Sequence, residues 1–317
     1  MITYFSCKIR KFTGYFYYTS MKKLFFYIVL GGIVWFQSCK EVGPTIDFGS
    51  SGSDSTYSDD TTYTTTPEVP TARKMLAEEF TGVSCPPCPS GHAAMRAIKA
   101  KLNGNLVIIG YHIFNYAQAD PVKDPDHKSK YDFRTEDATE VANSLFGGLG
   151  GLPEATFDRA EFNSKLLLDR LQWGGASDAR AALTSPVNIH ITSVFDEATR
   201  EATVTVQLAY TASVSMKQSL TLAVLEDSII DVQKNLTGIE DNYVHEHVLR
   251  DIVTTVRGTQ IPTKVDPKVP GRVYEKTFKV PIKTDWHAEH CEIVAFVTND
   301  DAADRTVVNA EQAKLIK

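Results

Sequence analysis

Two of the five cysteines in this 317-residue chain, Cys85 and Cys88, are separated only by Pro86 and Pro87. A Cys-x-x-Cys spacing lets one turn at a helix start bring two sulfurs within bonding distance, so the pair can cycle between dithiol and disulfide. There the unpaired N–H groups and the helix dipole stabilise a thiolate on Cys85, and Cys88, one turn in, serves as the resolving thiol. The prolines fix φ, which suits a first helical turn, but remove donors that could reach the sulfur. The competing reading is a structural disulfide in an oxidising compartment. A second grouping, Tyr243-Val244-His245-Glu246-His247, sets His245 and His247 at alternate strand positions, where they are candidate metal ligands. The plainer reading makes them hydrogen-bonded residues at an interface between domains. Cys291 has no sequence-near partner and reads as a buried free thiol. No phosphate-binding glycine loop or Ser-His-Asp grouping occurs, so no cofactor is expected.

The elements around the Cys85–Cys88 motif suit redox chemistry. Residues 75–80 read as a short apolar strand. Ala93, Ala94, Met95, Ile98 and Leu102 follow the motif at helical spacing, and residues 106–113 form a continuous apolar run, as a buried central strand should. Residues 115–140 are a long polar insertion that can cover the motif, and a helix is expected near 136–146. Residues 147–151 are a glycine-rich turn leading to Pro153, and X-Pro is the only bond at which cis is cheap. A strand resumes at 155–157. Residues 161–171 read as an amphipathic helix and 177–183 as another short one. After Pro186 the period changes to alternation, with strands at 187–191, 203–207, 220–224, 274–279, 293–297 and within 305–316. Six or seven strands in about 130 residues suggest an antiparallel, all-β, immunoglobulin- or fibronectin-like sandwich.

The run Glu78-Glu79-Phe80-Thr81-Gly82-Val83-Ser84-Cys85-Pro86-Pro87-Cys88-Pro89 resembles the start of the Omp-28-related outer-membrane lipoproteins of Bacteroidota, a thioredoxin-like family. The resemblance implies an α/β thioredoxin-like domain over residues 71–184, followed by the β-domain over 185–317. It also implies roles. Glu79, six residues before Cys85, falls where thioredoxins keep a buried acid that assists proton transfer. Leu152-Pro153 resembles the cis-proline loop that packs over the disulfide. Cys85, Cys88, Glu79 and Pro153 are then the catalytic set of a thiol–disulfide oxidoreductase, Cys85 attacking a substrate disulfide and Cys88 resolving the mixed disulfide. Thr81 and Ser84 depart from this pattern, since thioredoxins carry tryptophans there. That departure favours the alternative of a non-enzymatic surface-binding or adhesion lipoprotein whose Cys85–Cys88 pair is only a staple.

The N-terminus reads as an address. From Met21, two lysines, an apolar stretch from Leu24 to Phe36 and a short polar segment lead to Cys39, the layout of a secretory signal over residues 1–38. The apolar stretch is too short for a spanning helix, which needs about 20 residues. Residues 1–20 fit no signal region, which makes Met21 the expected start. Cys39 after Ser38 resembles a lipoprotein processing site. Residues 39–70 form the expected lipid-anchored disordered linker; residues 49–66 are nearly all Ser, Thr, Asp, Gly and Tyr. Five of the 33 basic and none of the 39 acidic residues precede Cys39, leaving 28 against 39, a net charge of −11. So acidic a surface excludes nucleic acid as a partner. It also gains nothing from anionic lipid headgroups, so a membrane contact requires the lipid anchor. The location implied is the bacterial cell envelope, at the outer membrane and facing the periplasm or the surface. Partners are envelope proteins with disulfides or a surface ligand. Mass spectrometry of the mature protein is expected to show an acylated N-terminal Cys39; an unmodified or different terminus refutes the anchor.

Overall fold

Strands that alternate between buried and part-exposed residues face water on one side, whereas strands buried at every position are covered on both. This chain uses both kinds. The computed structural model describes residues 60–316. In chain order its first half holds β1 (Asp60–Thr64), β2 (Met75–Phe80), α1 (Cys88–Lys101), β3 (Leu106–Tyr111), α2 (Glu136–Phe146), β4 (Glu154–Phe157), β5 (Leu168–Asp169) and α3 (Trp173–Ala181). The second half holds β6 (Val187–Asp196), β7 (Glu201–Tyr210), β8 (Gln218–Glu226), β9 (Ile229–Asn235), β10 (Gly238–His245) and β11 (Val248–Ile252). It ends with β12 (Thr259–Gln260), β13 (Arg272–Pro281), β14 (Cys291–Asn299) and β15 (Val307–Lys314). The fold is rich in β-structure, with few helices.

One nine-stranded sheet runs through both halves in the order β15-β14-β8-β11-β3-β2-β4-β5, with β12 also on β8. β2 and β3 are parallel, β4 runs antiparallel to β2, and α1 connects β2 to β3. At the seam β11 lies parallel to β3, with Val248 opposite Gly110, and the Gly110 N–H donates to the His247 carbonyl at 2.7 Å. The expected boundary at 184/185 falls in a loop, yet the sheet continues across it. One of the two facing sheets of the β-part is therefore not its own. The other has the order β1-β13-β7-β6.

β8 and β14 show how the layers share a core. Leu220, Leu222 and Val224 with Ile293, Ala295 and Val297 pack against Val204, Val206, Leu208 and Tyr274 of the four-stranded sheet. The alternate residues, Ala223, Leu225, Val294 and Phe296, join Leu76, Phe80, Val107, Ile109, Tyr111, Cys85 and Cys88. On the far side of β2 and β3, Met75, Ala77, Leu106 and Ile108 pack against Met95 and Ile98 of α1 and Trp173 of α3.

Three expectations change. Residues 60–64, assigned to the disordered linker, form β1, which pairs with β13 from Asp60↔Lys276 to Thr64↔Arg272. Its extended backbone completes the sheet edge, and its polar side chains find partners there: Asp60 pairs with Lys264 at 2.6 Å, and the Tyr63 hydroxyl accepts from Gln207 at 2.8 Å. Residues 161–171 are not helical. Asn163 and Ser164 adopt positive φ (51° and 60°) between Phe162 and Lys165, whose backbones bond each other, and Leu168 pairs with Ala155. A backbone turned back on itself cannot continue a helical ladder; Phe162, Leu167 and Leu168 reach the core from this turn, while Leu171 stays exposed. Among the described residues the second half holds ten strands, β6 to β15, where six or seven are expected, because the polar and charged residues of strands such as β9 and β11 obscure any alternation. The signal segment and Cys39 lie outside the described residues.

A buried ion pair marks where β2 meets β4. Arg159 donates twice to Glu78, at 2.8 Å each, the Tyr111 hydroxyl donates to the same carboxylate at 2.9 Å, and the guanidinium lies over Phe296. Both side chains are buried, so removing one partner strands a charge. Arg159→Met is expected to lower unfolding free energy by about 3–5 kcal/mol, read by urea denaturation.

Candidate functional site

Cys85 and Cys88 form a disulfide, with Cα atoms 5.4 Å apart. α1 begins at Cys88, so Cys85 sits in the turn before it, and the Cys88 N–H donates to the Cys85 carbonyl at 3.2 Å. Both cysteines have 0% exposure. Two segments seal them. From the polar insertion, the Gln118 carbonyl accepts from Ser84 N at 3.0 Å. A methyl group on Gly82 would overlap that carbonyl and the Ala119 Cα. From β9, Lys234 N donates to the Val83 carbonyl at 2.9 Å, and the Gln233 amide donates to the carbonyls of Gly82 and Cys85 at 3.1 and 3.3 Å. The covers are bound to each other. The Asp231 carboxylate accepts from Lys130 N and Tyr131 N at 3.0 Å, while Val83, Val122, Phe133 and Val232 pack together.

Glu79, one residue along β2 from the paired Glu78, points the opposite way, towards α1. It is 3% exposed, its Oε1 has no hydrogen-bond partner, and burial pushes its carboxyl up to about 8, opposed by the charge of Arg96. A Cβ on Gly91 would stand 2.7 Å from that Oε1 and 3.0 Å from Pro153, so helix, acid and proline meet where no larger residue fits. The Leu152–Pro153 bond is cis.

Glu79 also lines a cavity of about 420 Å³ between α1 and the β10–β11 link, whose other walls include His92, His112, Tyr243, His245 and Arg96. His92 Nε2 is 2.8 Å from the Thr81 hydroxyl and its Nδ1 is 2.6 Å from the Tyr243 hydroxyl. The buried Nδ1 of His112 has no partner. Burial holds His92 down to about 3, His245 down to about 4, and His112 well below the ordinary imidazole value. The cavity therefore offers neutral imidazoles beside a carboxyl that carries its proton at neutral pH. Such groups donate and accept hydrogen bonds without charge.

The sequence-predicted residues separate into two places. Cys85, Cys88, Glu79 and Pro153 gather around the start of α1. His245 and His247 both reach the cavity but do not act as a pair. His245 packs on Phe133 with its Nε2 3.3 Å from the Val232 carbonyl, while His247, at φ 59°, stands beside Asp227. The cavity also holds His92 and His112, which no motif in the sequence singles out. The signals for them are a histidine inside an otherwise apolar run (His112) and one four residues beyond Cys88 (His92). Cys291 is buried and free, its thiol pushed up to about 12 by burial and by Glu226.

The pattern of the family described as outer membrane protein Omp28 matches residues 143–317. The chain belongs to the Omp28 family. The matched part of this Omp28 chain starts beyond the disulfide and takes in Pro153 and the whole β-part. Among solved structures it is similar to HBP35 of Porphyromonas gingivalis, with a TM-score of 0.58, 18% identity, and 80% of this chain and 77% of that one covered. A protein from Agrobacterium tumefaciens matches at a TM-score of 0.47 and 17% identity, covering 78% of this chain and 97% of its own. The likeness to HBP35 is one of fold. No curated protein sequence matches the Omp28 chain. No described helix is long and apolar enough to cross a membrane.

Because Glu79 keeps its proton to about pH 8 in the fold but loses it near 4.5 when unfolded, native stability falls as pH rises between those values and is level above. Glu79→Gln removes this dependence. Urea denaturation of the two proteins at pH 5 and pH 8 is expected to show the variant gaining on the wild type by a few kcal/mol at the higher pH; parallel curves would place the carboxyl in water.

Proposed function

We propose that this Omp28 protein is an outer-membrane lipoprotein that binds rather than turns over, with a thioredoxin-like unit as scaffold and the Cys85–Cys88 disulfide as a staple. The thioredoxin-like reading is supported by the order β2, Cys-x-x-Cys, α1, parallel β3, then antiparallel β4 after Pro153. The lipid anchor on Cys39 is part of the proposal, and so is display on the periplasmic or outer face. The complete burial of both sulfurs carries the staple reading. Exchange needs a thiolate to reach a sulfur, and here both sulfurs are buried, with the insertion and β9 bonded to the backbone of residues 82–85. The cavity supplies the place for a ligand, with Glu79 Oε1 and His112 Nδ1 both lacking hydrogen-bond partners.

A second reading, thiol–disulfide exchange after the covers open, is favoured by Glu79. A staple does not require a buried carboxyl with a raised pKa beside Gly91 and Pro153. Exchange uses one, as carboxylate, to take the proton that the resolving thiol must lose before it attacks. Dithiothreitol reduction separates the two. The staple reading expects native-state reduction no faster than global unfolding, and a Gly82→Ala protein, whose methyl group must displace the cover at Gln118, to be reduced at least about tenfold faster. It expects a reduction potential below about −300 mV, as for structural bridges. Fast reduction of the folded wild type, with mixed disulfides accumulating on a Cys88→Ser variant in envelope extracts, would instead establish exchange.

A further inference from the structure

Three side chains that play no part in the disulfide site converge near the seam of the long sheet. Asp227 follows β8, His247 lies in the link between β10 and β11, and Glu292 is the second residue of β14; one ligand atom from each falls within 4.8 Å of the others. His247 Nδ1 is 3.2 Å from Asp227 Oδ1 but is not aligned for a hydrogen bond, and it has no other partner. Two donors on a tetrahedral zinc at about 2.0–2.1 Å stand roughly 3.3 Å apart. Glu292 is 6% exposed, and its Oε2 is buried without a partner. The frame around them is fixed by backbone bonds: His247 N donates to Asp227 Oδ1 at 2.5 Å, and Asp227 N donates to the His290 carbonyl at 3.1 Å.

We propose that Asp227, His247 and Glu292 form a site for a first-row divalent cation, zinc in the first instance, with Lys314 as its built-in competitor. One imidazole and two carboxylates suit an ion of intermediate softness, and three protein donors leave a position for water. Lys314 Nζ already brings positive charge to the same place, 2.9 Å from Glu292 Oε1 and 4.0 Å from Asp227 Oδ2. Its side chain is 52% exposed, so it can withdraw into solvent when a cation enters. His245 is not a ligand, because its ring is turned to Val232 and Phe133. A bound ion would fasten the β10–β11 link, and with it the Tyr243 and His245 wall of the cavity, to β8 and β14. It would act whether the disulfide is a staple or an exchange centre.

Calorimetric titration of the chelator-treated, tag-free protein with zinc chloride tests this. Wild type is expected to bind one equivalent saturably. His247→Ala and Glu292→Gln should each weaken that binding roughly tenfold or more, and Lys314→Met should tighten it about threefold or more by removing the competing charge. His127→Ala, which breaks an exposed pair with Asp241, should leave it unchanged. Melting of the metal-free proteins checks each fold, and Glu292→Gln, nearly isosteric, decides if His247→Ala fails to fold. Absence of one-equivalent binding, or an affinity unchanged in Glu292→Gln, overturns the site; an unchanged affinity in Lys314→Met overturns the role given to the lysine.

Discussion

Two strands, β8 and β14, carry the architecture because each of their faces belongs to a different core. Side chains two residues apart share a face, so Leu220, Leu222 and Val224 meet the four-stranded sheet while Ala223 and Leu225 meet the core that holds the disulfide. A strand buried on both faces cannot slip by one residue without exchanging its two environments, and this fixes register strongly. It also joins the halves of the chain. β11 pairs with β8 on one side and β3 on the other, so the parallel β2–β3 pair is extended by the β-part instead of ending in an open edge.

The state of the cysteines follows from this arrangement. Cys85 and Cys88 do not sit at the rim of a free-standing α/β unit. They lie among Phe80, Tyr111, Leu225 and Phe296, contributed by both halves. The β9–β10 hairpin that emerges from the β-part lies over the motif and is fixed there by the Lys234 N–H on the Val83 carbonyl and by the Gln233 side-chain amide on the carbonyls of Gly82 and Cys85. Thr81 directs its hydroxyl to His92. The surface beside the motif is covered by this chain's own hairpin. Glu78 and Glu79 show how burial divides like residues. Glu78 finds Arg159 and Tyr111, whereas Glu79, on the opposite face, has no hydrogen bond at Oε1 and keeps its proton.

Local signals in the sequence were sufficient for the strands and helices around the motif. Residues 75–80 form β2, 136–146 form α2, and Pro153 opens the strand that pairs with β2. They failed where tertiary pairing governs. DTTYT at 60–64 is polar enough to read as linker, yet pairing with β13 satisfies its backbone. EFNSKLLLDRL has helical periodicity, yet positive φ at Asn163 and Ser164 turns it back.

The sequence by itself determined the Cys85–Cys88 motif, its strand and helix, the acid at Glu79, the proline at 153 and the all-β character of the second half, because each rests on residues close together along the chain. Only the tertiary structure decided that the sulfurs are sealed and that His92, His112 and His245 share one cavity. It alone set His247 beside Asp227 and Glu292 instead of beside His245. Those outcomes depend on contacts between residues far apart in sequence, made by strand pairing at β11 and by packing on both faces of β8 and β14, which no local spacing records.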